Sequence, residues 1–279
     1  MPEGVEVKLQ LEKLKKLIGQ NIVSIDILSG RYSRHGPPCG FEKIIKKLPL
    51  IIEKIQQKGK FVFMTLSQKW YVLITLGMTG RLILKKNPSH PQKHYHIQFV
   101  TPKYILYFYD LRNFGTIQFT DDENILNQKL NKLGFDPLQT KITPTEFISH
   151  LHKFPANRKI GELLLDQQFI SGIGNYLRAD ILYCAKIHPK SEIQYLPTNV
   201  LKILLKCIQK TMNSSYQRQK LKIKKEYKFI IYKQSKSPLG NPTDKYKDKN
   251  GRTIWYVPDE QIYYHSDYSL SELSSTSIL

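Results

Sequence analysis

Apolar residues at Val7, Leu11, Leu14 and Ile18 recur every three or four positions, and this spacing predicts an amphipathic helix over residues 3–18. The period then shortens. Short β-like runs follow at 22–28, 51–56, 60–66, 70–76, 82–84, 94–100, 104–108 and 116–119, punctuated by Gly, Pro, Asn and Asp. Many short strands at close spacing predict an antiparallel sandwich or barrel over residues 1–130. The stretch LGFDPLQT at 133–140 carries the breakers Gly134 and Pro137, so residues 131–143 read as a linker. Helical spacing returns at Thr143, with helices predicted over 144–153, 158–167, 175–185 and 199–212. Gly172 and Gly174 separate the second from the third, and Leu201, Leu204, Leu205 and Ile208 share one face of the fourth. Residues 218–228 read as a basic loop or frayed helix end. Asn250-Gly251 is the strongest short hairpin signal, and a strand over 253–257 follows it. The fold class is therefore α+β with two domains: a β-sandwich with an N-terminal helix, then a helical domain at 144–237 extended by a hairpin at 238–265. The polar, serine-rich residues 266–279 are expected to be disordered.

Composition changes this picture in one direction. The 279 residues are 41% hydrophobic, enough for two cored domains. Lys plus Arg number 43 against 23 acids, a net charge of +20, which points to a polyanionic partner. Residues 202–252 hold fifteen Lys/Arg against three acids, so more than half the excess sits in under a fifth of the chain. Clustered cations favour a nucleic-acid backbone through counterion release. The chain has only three alanines while Lys, Ile, Asn and Tyr abound, the mark of an AT-rich genome, which discounts the lysine excess somewhat. No apolar run approaches the ~18–20 residues of a membrane span, and MPEGVEVKLQ lacks the apolar core of a signal peptide. Cys39, Cys184 and Cys207 form no CxxC pair, so neither a disulfide framework nor a cysteine-rich zinc site is expected, and a reducing compartment is the default.

Three places carry candidate chemistry. Removal of Met1 before the small Pro2 exposes a secondary amine, and an α-amine titrates near pH ~8, so a useful fraction is unprotonated at neutral pH. Such an amine attacks an aldehydic carbon to give an iminium, a covalent electron sink. Glu3 and Glu6 lie within one helical turn, where they can move protons. A Pro-Glu start is equally ordinary helix N-terminus chemistry. In FISGIGNYLR at 169–178, two glycines allow a tight turn before a helix whose start can hold a phosphate, with Asn175 as cap or donor. A plain helix–turn–helix hairpin fits the same spacing. In DKNGRTIWY at 248–256 the turn puts Arg252 at or beside a hairpin tip, where it can grip a phosphate or simply be exposed.

Taken together, MPEG-VEV at the start, LGMTGRL at 76–82, DLRNFG at 110–115, LGFDPL at 133–138 and DQQFISGIGNYLRADILY at 166–183 follow the order and spacing of one family. The sequence resembles the formamidopyrimidine-DNA glycosylase/endonuclease VIII family from residue 2 to about residue 260. It departs from many members in lacking any cysteine after Cys207, so their four-cysteine zinc finger cannot form. DKNGRTIWY, with Gly4 where many bacterial members have leucine, looks like the zincless finger of the vertebrate endonuclease VIII-like 1 branch. With the AT-rich signature, a giant-virus or protist homologue fits.

The resemblance implies a bifunctional DNA glycosylase and AP lyase of base excision repair, with damaged DNA as partner in a cleft between the domains across a flexible hinge. It also implies a helix–two-turn–helix in the second domain. On this resemblance Pro2 is the nucleophile, Glu3 the acid/base at the sugar ring oxygen, and Glu6 a second carboxylate that orders water or base. Lys60 contacts the lesion's phosphates, with Lys58 as its competitor. Asn175 and Arg252 hold phosphates, and Gly172 and Gly174 shape the first of these grips. Met78, Arg112 and Phe114 fill the hole left by the flipped nucleotide; without the resemblance Met78 and Phe114 read as sandwich core. The expected reaction is base displacement by Pro2, then β- and δ-elimination. Oxidised pyrimidines and hydantoins are expected substrates, and the base-contacting loop falls at about 213–228. No metal or cofactor is expected, His90, His94 and His96 being the only alternative cluster. The chain is expected to be monomeric, unsecreted, and located with genomic DNA in a nucleus, viral factory or virion, or bacterial cytoplasm. The rivals are a catalytically silent damage-recognition protein and a general basic RNA binder.

Overall fold

The computed structural model describes residues 2–86, 92–221 and 229–267. The chain divides into two compact units, Met1–Gly134 and Phe135–Leu279. The expected disordered tail, apart from its first two residues, lies outside the described residues.

In the first unit every expected β-like run is extended. The strands are β1 (Asn21–Ile22), β2 (Ser24–Ile27), β3 (Leu50–Lys58), β4 (Phe61–Leu66), β5 (Trp70–Thr75), β6 (Arg81–Lys85), β7 (Tyr95–Val100), β8 (Ile105–Tyr109) and β9 (Thr116–Thr120). They form two antiparallel sheets, β1-β3-β4-β5-β9 and β2-β7-β8-β6. The run at 22–28 is split between the sheets at exposed Val23. Leu50, Ile52, Val62, Met64, Val72 and Ile74 of the larger sheet meet Ile25, Leu82, Ile97, Phe99, Leu106 and Phe108 of the smaller one in a single core. The N-terminal helix α1 (Gly4–Leu14) adds Val7, Leu11 and Leu14 to that core. It stops earlier than its pattern predicts, in a 3₁₀ turn at Lys15–Leu17 before Gly19, whose φ of +82° suits a residue without a Cβ.

The short helices α2 (Arg31–Arg34) and α3 (Phe41–Ile44) fill the long β2–β3 connection. An unforeseen helix, α4 (Glu123–Asn131), is capped by Asp122 and covers the outer face of the larger sheet. That face is apolar, with Phe61, Phe63, Tyr71 and Leu73 closed off by Leu126.

The second unit begins where a linker was expected. Phe135 packs edge-on against the Phe147 ring, and buried Asp136 holds Leu138 N and Gln139 Nε2 at 2.9 Å each. Helix α5 (Pro144–Leu151) opens with a capping box between Thr143 and Glu146. The helix expected at 158–167 is one turn, α6 (Ile160–Leu163); Asp166 then folds the chain back by accepting from Gln168 N and pairing with Arg158 at 2.8 Å. Helices α7 (Asn175–Cys184) and α8 (Thr198–Lys220) pack against each other at the centre, with Leu177, Ile181 and Leu182 buried on the first and Leu201, Leu204, Leu205 and Ile208 on the second. Helix α8 outruns its predicted end because its buried face turns polar without leaving the core, at Thr211, Ser215 and Tyr216. Residues 218–220, read as basic loop or frayed helix end, are its last turn, and 222–228 lie outside the described residues.

The hairpin β10 (Asp244–Lys247) and β11 (Thr253–Tyr256) closes through residues 248–252, with Gly251 at φ +71°. Its inner residues Ile254 and Tyr256 are buried, as is Val257 just after it. Cys184 and Cys207 form a disulfide between α7 and α8, correcting the expectation of no disulfide framework. The pairing depends on two helices lying side by side, which cysteine spacing does not encode.

Candidate functional site

The first cluster lies at the chain start. Pro2 is half-buried and Glu3 is 3% exposed. Glu3 is the N-cap of α1 in a reciprocal box: its carboxylate accepts from Glu6 N, and Glu6 Oε2 accepts from Glu3 N at 2.8 Å. Glu6 thus helps to hold the start of α1. Buried Gln57, unremarked in the sequence, donates through Nε2 to Gly4 O at 3.2 Å and Gly59 O at 3.1 Å. It ties the start of α1 to the β3–β4 turn that carries Lys58, Gly59 and Lys60. Lys58 Nζ donates to Leu130 O at the end of α4, at 3.0 Å. Lys60 is half-buried at the mouth of the same turn.

The second cluster joins two loops, 76–80 and 110–115. Met78, Leu111 and Phe114 are 42%, 50% and 52% exposed, so Met78 and Phe114 are not sandwich core. Arg112 lies between them, its guanidinium 4.7 Å over the Phe114 ring and its Nη1 3.3 Å from Met78 Sδ. The structure therefore brings Met78, Arg112 and Phe114 together.

What holds this apolar cluster in water is the buried Asp110. Its Oδ2 accepts from Gly115 N at 2.6 Å, and its Oδ1 from Arg112 N at 3.3 Å and from the Thr79 hydroxyl. Thr79 Oγ1 also accepts from Arg112 N at 3.0 Å. A Cβ on Gly77 would lie 2.8 Å from the Phe114 carbonyl carbon, so the loops approach too closely for any other residue. Buried His96 joins in through Nε2, 2.6 Å from Asp110 O. His94 packs instead against Tyr109, and His90 lies outside the described residues. Among the described residues no three His, Cys, Asp or Glu are grouped to hold a metal.

The third cluster is in the second unit. Gly172 has φ +101°, and its N–H is held by Gln167 Oε1 at 3.0 Å. Gln167 Nε2 reaches Leu165 O and Ile173 O, which staples the turn in front of α7. Gly174 is the N-cap of α7, and half-exposed Asn175 is its first residue. Arg252 stands exposed on the hairpin loop.

Between Asn175 and the hairpin lies Arg178, fully buried. Its Nη2 donates to Asn175 Oδ1 at 3.2 Å and Thr253 O at 3.1 Å; its Nη1 donates to Gly161 O at 3.1 Å and Asp248 Oδ2 at 3.2 Å. Asp248 Oδ1 accepts from Asn250 N and Arg252 N at 2.9 Å each. Burial raises the Asp248 pKa, but hydrogen bonds from Arg252 N, Arg178 and Asn250 N outweigh it and hold the carboxyl below its ordinary range. Burial lowers the Arg178 pKa, and Asp248 opposes that. Sequence patterning missed Arg178 and Asp248 because their partners stand 70 residues apart.

A two-sheet sandwich with a capped Pro-Glu start, followed by a helical unit whose glycine turn leads into an asparagine-started helix beside a hairpin, defines a two-domain α+β protein of the helix–two-turn–helix class. The formamidopyrimidine-DNA glycosylase N-terminal domain matches residues 1–117, and the H2TH domain of the same enzymes matches residues 133–226. A formamidopyrimidine-DNA glycosylase of Bacillus cereus is 31% identical over 223 residues, covering 78% of this chain and 79% of its own.

A Lactococcus lactis Fpg mutant bound to DNA containing Fapy-dG superposes with a TM-score of 0.81 at 26% identity, over 93% of this chain and 99% of that one. The wild-type Lactococcus lactis protein bound to DNA containing an oxidised pyrimidine gives 0.80 at 25% identity, over 93% and 99%. The chain belongs to the formamidopyrimidine-DNA glycosylase family. No described helix is long and apolar enough to cross a membrane.

Proposed function

We propose that this protein is a bifunctional DNA glycosylase and AP lyase that removes oxidised bases from DNA. The observation that carries the reading is the N-terminal arrangement: a buried carboxylic side chain, Glu3, fixed in a capping box directly after Pro2 and tied by Gln57 to the turn that presents Lys60. Ordinary helix capping needs no buried acid, because an N-cap carboxylate is equally served in water.

With Met1 removed, the Pro2 nitrogen attacks C1′ of the damaged nucleotide and displaces the base. Glu3 protonates the ring oxygen as the sugar opens, leaving an iminium. The iminium acidifies the C2′ proton; its loss breaks the 3′ C–O bond, and a second elimination breaks the 5′ C–O bond. Lys60 holds the lesion's phosphates, and Asn175 and Arg252 hold the backbone elsewhere. A stacked base hides its C1′, so the nucleotide must leave the helix at a cost of a few kcal/mol. Met78, Arg112 and Phe114 offset part of that by filling the gap, and Arg112 pairs with the orphaned base. Exposed apolar groups held rigidly by Asp110 suit that task.

The cysteine-free hairpin and Gly4 favour the zincless, endonuclease VIII-like branch, and with it oxidised pyrimidines and hydantoins as substrates. Relatives supply precedent for the ligand class, since one is bound to DNA containing an oxidised pyrimidine. The base-contacting loop falls partly at 222–228, outside the described residues.

Borohydride trapping on abasic DNA tests the reading. The adduct is expected to map to residue 2, and a retained Met1 or an N-terminal tag is expected to abolish it. Undiminished trapping by the blocked protein would transfer the nucleophile's role to a lysine. Absence of trapping and excision in the native protein, with preserved affinity for abasic DNA, would leave a silent damage binder.

A further inference from the structure

The two backbone grips proposed for the second unit sit on elements that share no covalent neighbourhood, and a single buried guanidinium connects them. We propose that Arg178, with Asp248, is a positioning residue that makes the α7 grip and the hairpin grip act as one DNA-binding device. The inference rests on the proposed roles of Asn175 and Arg252.

Arginine has only donors, so the Asn175 atom that faces Arg178 Nη2 at 3.2 Å must be its carbonyl oxygen. That contact fixes the amide flip and leaves the Nδ2 donors facing away from Arg178, free to serve an anionic ligand at the start of α7. The same guanidinium holds Thr253 O at the beginning of β11 and Asp248 Oδ2 at the end of β10. The other oxygen of Asp248 orders the loop amides of Asn250 and Arg252. One continuous path thus runs from the Asn175 amide through Arg178 and Asp248 to the backbone of Arg252.

Stability alone does not explain this choice of residues. Both side chains are essentially inaccessible, 0% and 2% exposed, and Arg178 Nε finds no acceptor among the described residues. A buried ion pair is often no better than apolar groups of the same volume. What apolar groups cannot do is orient an amide on one side and a loop on the other. The hairpin needs such an anchor, because strands of four residues are marginal alone and the outer strand, β10, is mostly exposed.

The test is a double-mutant cycle in the full-length protein, read as affinity for a duplex containing a tetrahydrofuran abasic analogue. Asn175→Ala and Arg252→Ala are measured singly and together, in the native background and in Arg178→Lys. Lysine keeps the charge for Asp248 but cannot hold Asn175 and Thr253 at the same time.

In the native background the combined loss is expected to fall short of the product of the single losses by on the order of fivefold, as for residues in one network. In Arg178→Lys the losses are expected to multiply, and that variant alone is expected to bind about tenfold more weakly. A merely structural role would lower thermal stability without changing the coupling. Should Arg178→Lys fail to fold, Asp248→Asn carries the same cycle, since it keeps an acceptor for the loop amides and turns donors towards Arg178. Losses that multiply in the native background would overturn the coupling. Single variants that bind like the native protein would instead overturn the grip assignments themselves.

Discussion

The two units satisfy most of their buried carboxylates in different ways. In the first, the partners are near in sequence: Glu3 and Glu6 serve each other's amides across one turn, and Asp110 takes amides from Arg112 and Gly115, with Thr79 as its distant partner. In the second, buried Asp136 is also served locally, by Leu138 N and Gln139 Nε2, but three other acids clasp the chain from afar. Asp180 holds Ile230 N and Ile231 N, Asp248 holds Arg178, and Glu260 gathers Tyr183, Lys186, Ser237 and Asn241. The first unit has a continuous apolar core between two sheets, so its buried acids are released from holding the fold and can shape loops and chemistry. The second returns its C-terminal segment to α7 over a smaller apolar contact of Ala179, Tyr183, Ile231 and Val257, so its acids act as ties. Removing charge should therefore impair activity in one unit and stability in the other.

The largest expected effect is at Glu3. Glu3→Gln still accepts from Glu6 N, so α1 and thermal stability should hold. Excision of an oxidised base should fall by about 10²-fold or more, the scale of a lost general acid/base. Cleavage of a preformed abasic site should suffer less, because the open sugar is already populated there. Single-turnover assays on the two substrates check this, and a large loss of thermal stability would break the contrast between the units.

Next comes Glu260, where the same change should do the reverse. Its carboxyl is only 4% exposed. Burial raises its pKa, but hydrogen bonds from Ser237, Tyr183, Lys186 and Asn241 more than reverse this and hold it at about 2, against an ordinary 4.5. The unfolded chain therefore binds the proton first as pH falls. The contribution is complete above pH ~4.5 and is lost progressively from there down to pH ~2. Burial and the carboxylate push the Tyr183 phenol up to about 12, so it remains a donor throughout this range.

Glu260→Gln should destabilise the second unit by about 2–3 kcal/mol at neutral pH, the scale of losing charge-assisted hydrogen bonds in a buried site. It should also flatten the acid dependence of stability. Hydrogen exchange of α7 amides against pH reads both, and an unchanged acid profile would contradict the tie.

These pairs also mark where the sequence can be read and where it cannot. Val7, Leu11 and Leu14 announce α1 because helix period and core face coincide, and the continuous apolar run from Trp70 to Ile74 announces β5, which is buried on both faces. Helix α4 is silent because in ENILNQKLN only Leu126 is fully buried, too little for a periodic signal. At the site, Pro2, Glu3, Asn175 and Arg252 are visible because each belongs to a local motif. Gln57, Asp110 and Arg178 are not, since each is an ordinary polar residue until a distant loop or strand arrives. A hydrophobic pattern records which face is buried, not which buried polar group will find which partner.

A smaller effect is expected at Thr79, which reaches the Asp110 carboxylate from a separate loop. Thr79→Val keeps the shape but strips the hydroxyl that joins Asp110 to Arg112 N. About 1–2 kcal/mol of local stability should be lost, felt in the loop pair rather than in the sandwich. The expected readout is weaker binding to a lesion duplex with unchanged borohydride trapping at saturating DNA. Equal losses in both would mean that the loops also shape the chemistry at Pro2.

The smallest effect, and the one most specific to the second unit, is the salt dependence of Arg252. Arg252→Ala removes one cation from the hairpin tip, so the slope of log affinity against log salt should flatten by about 0.9 if that cation meets one phosphate. Asn175→Ala removes a neutral donor and should weaken binding while leaving that slope nearly unchanged. Both variants should weaken every lesion alike, because phosphates carry no base identity. Measuring two lesions over a salt series separates the possibilities. If Arg252→Ala reorders lesion preference at constant slope, then the hairpin reads the flipped base, and the second unit contributes to specificity as well as grip.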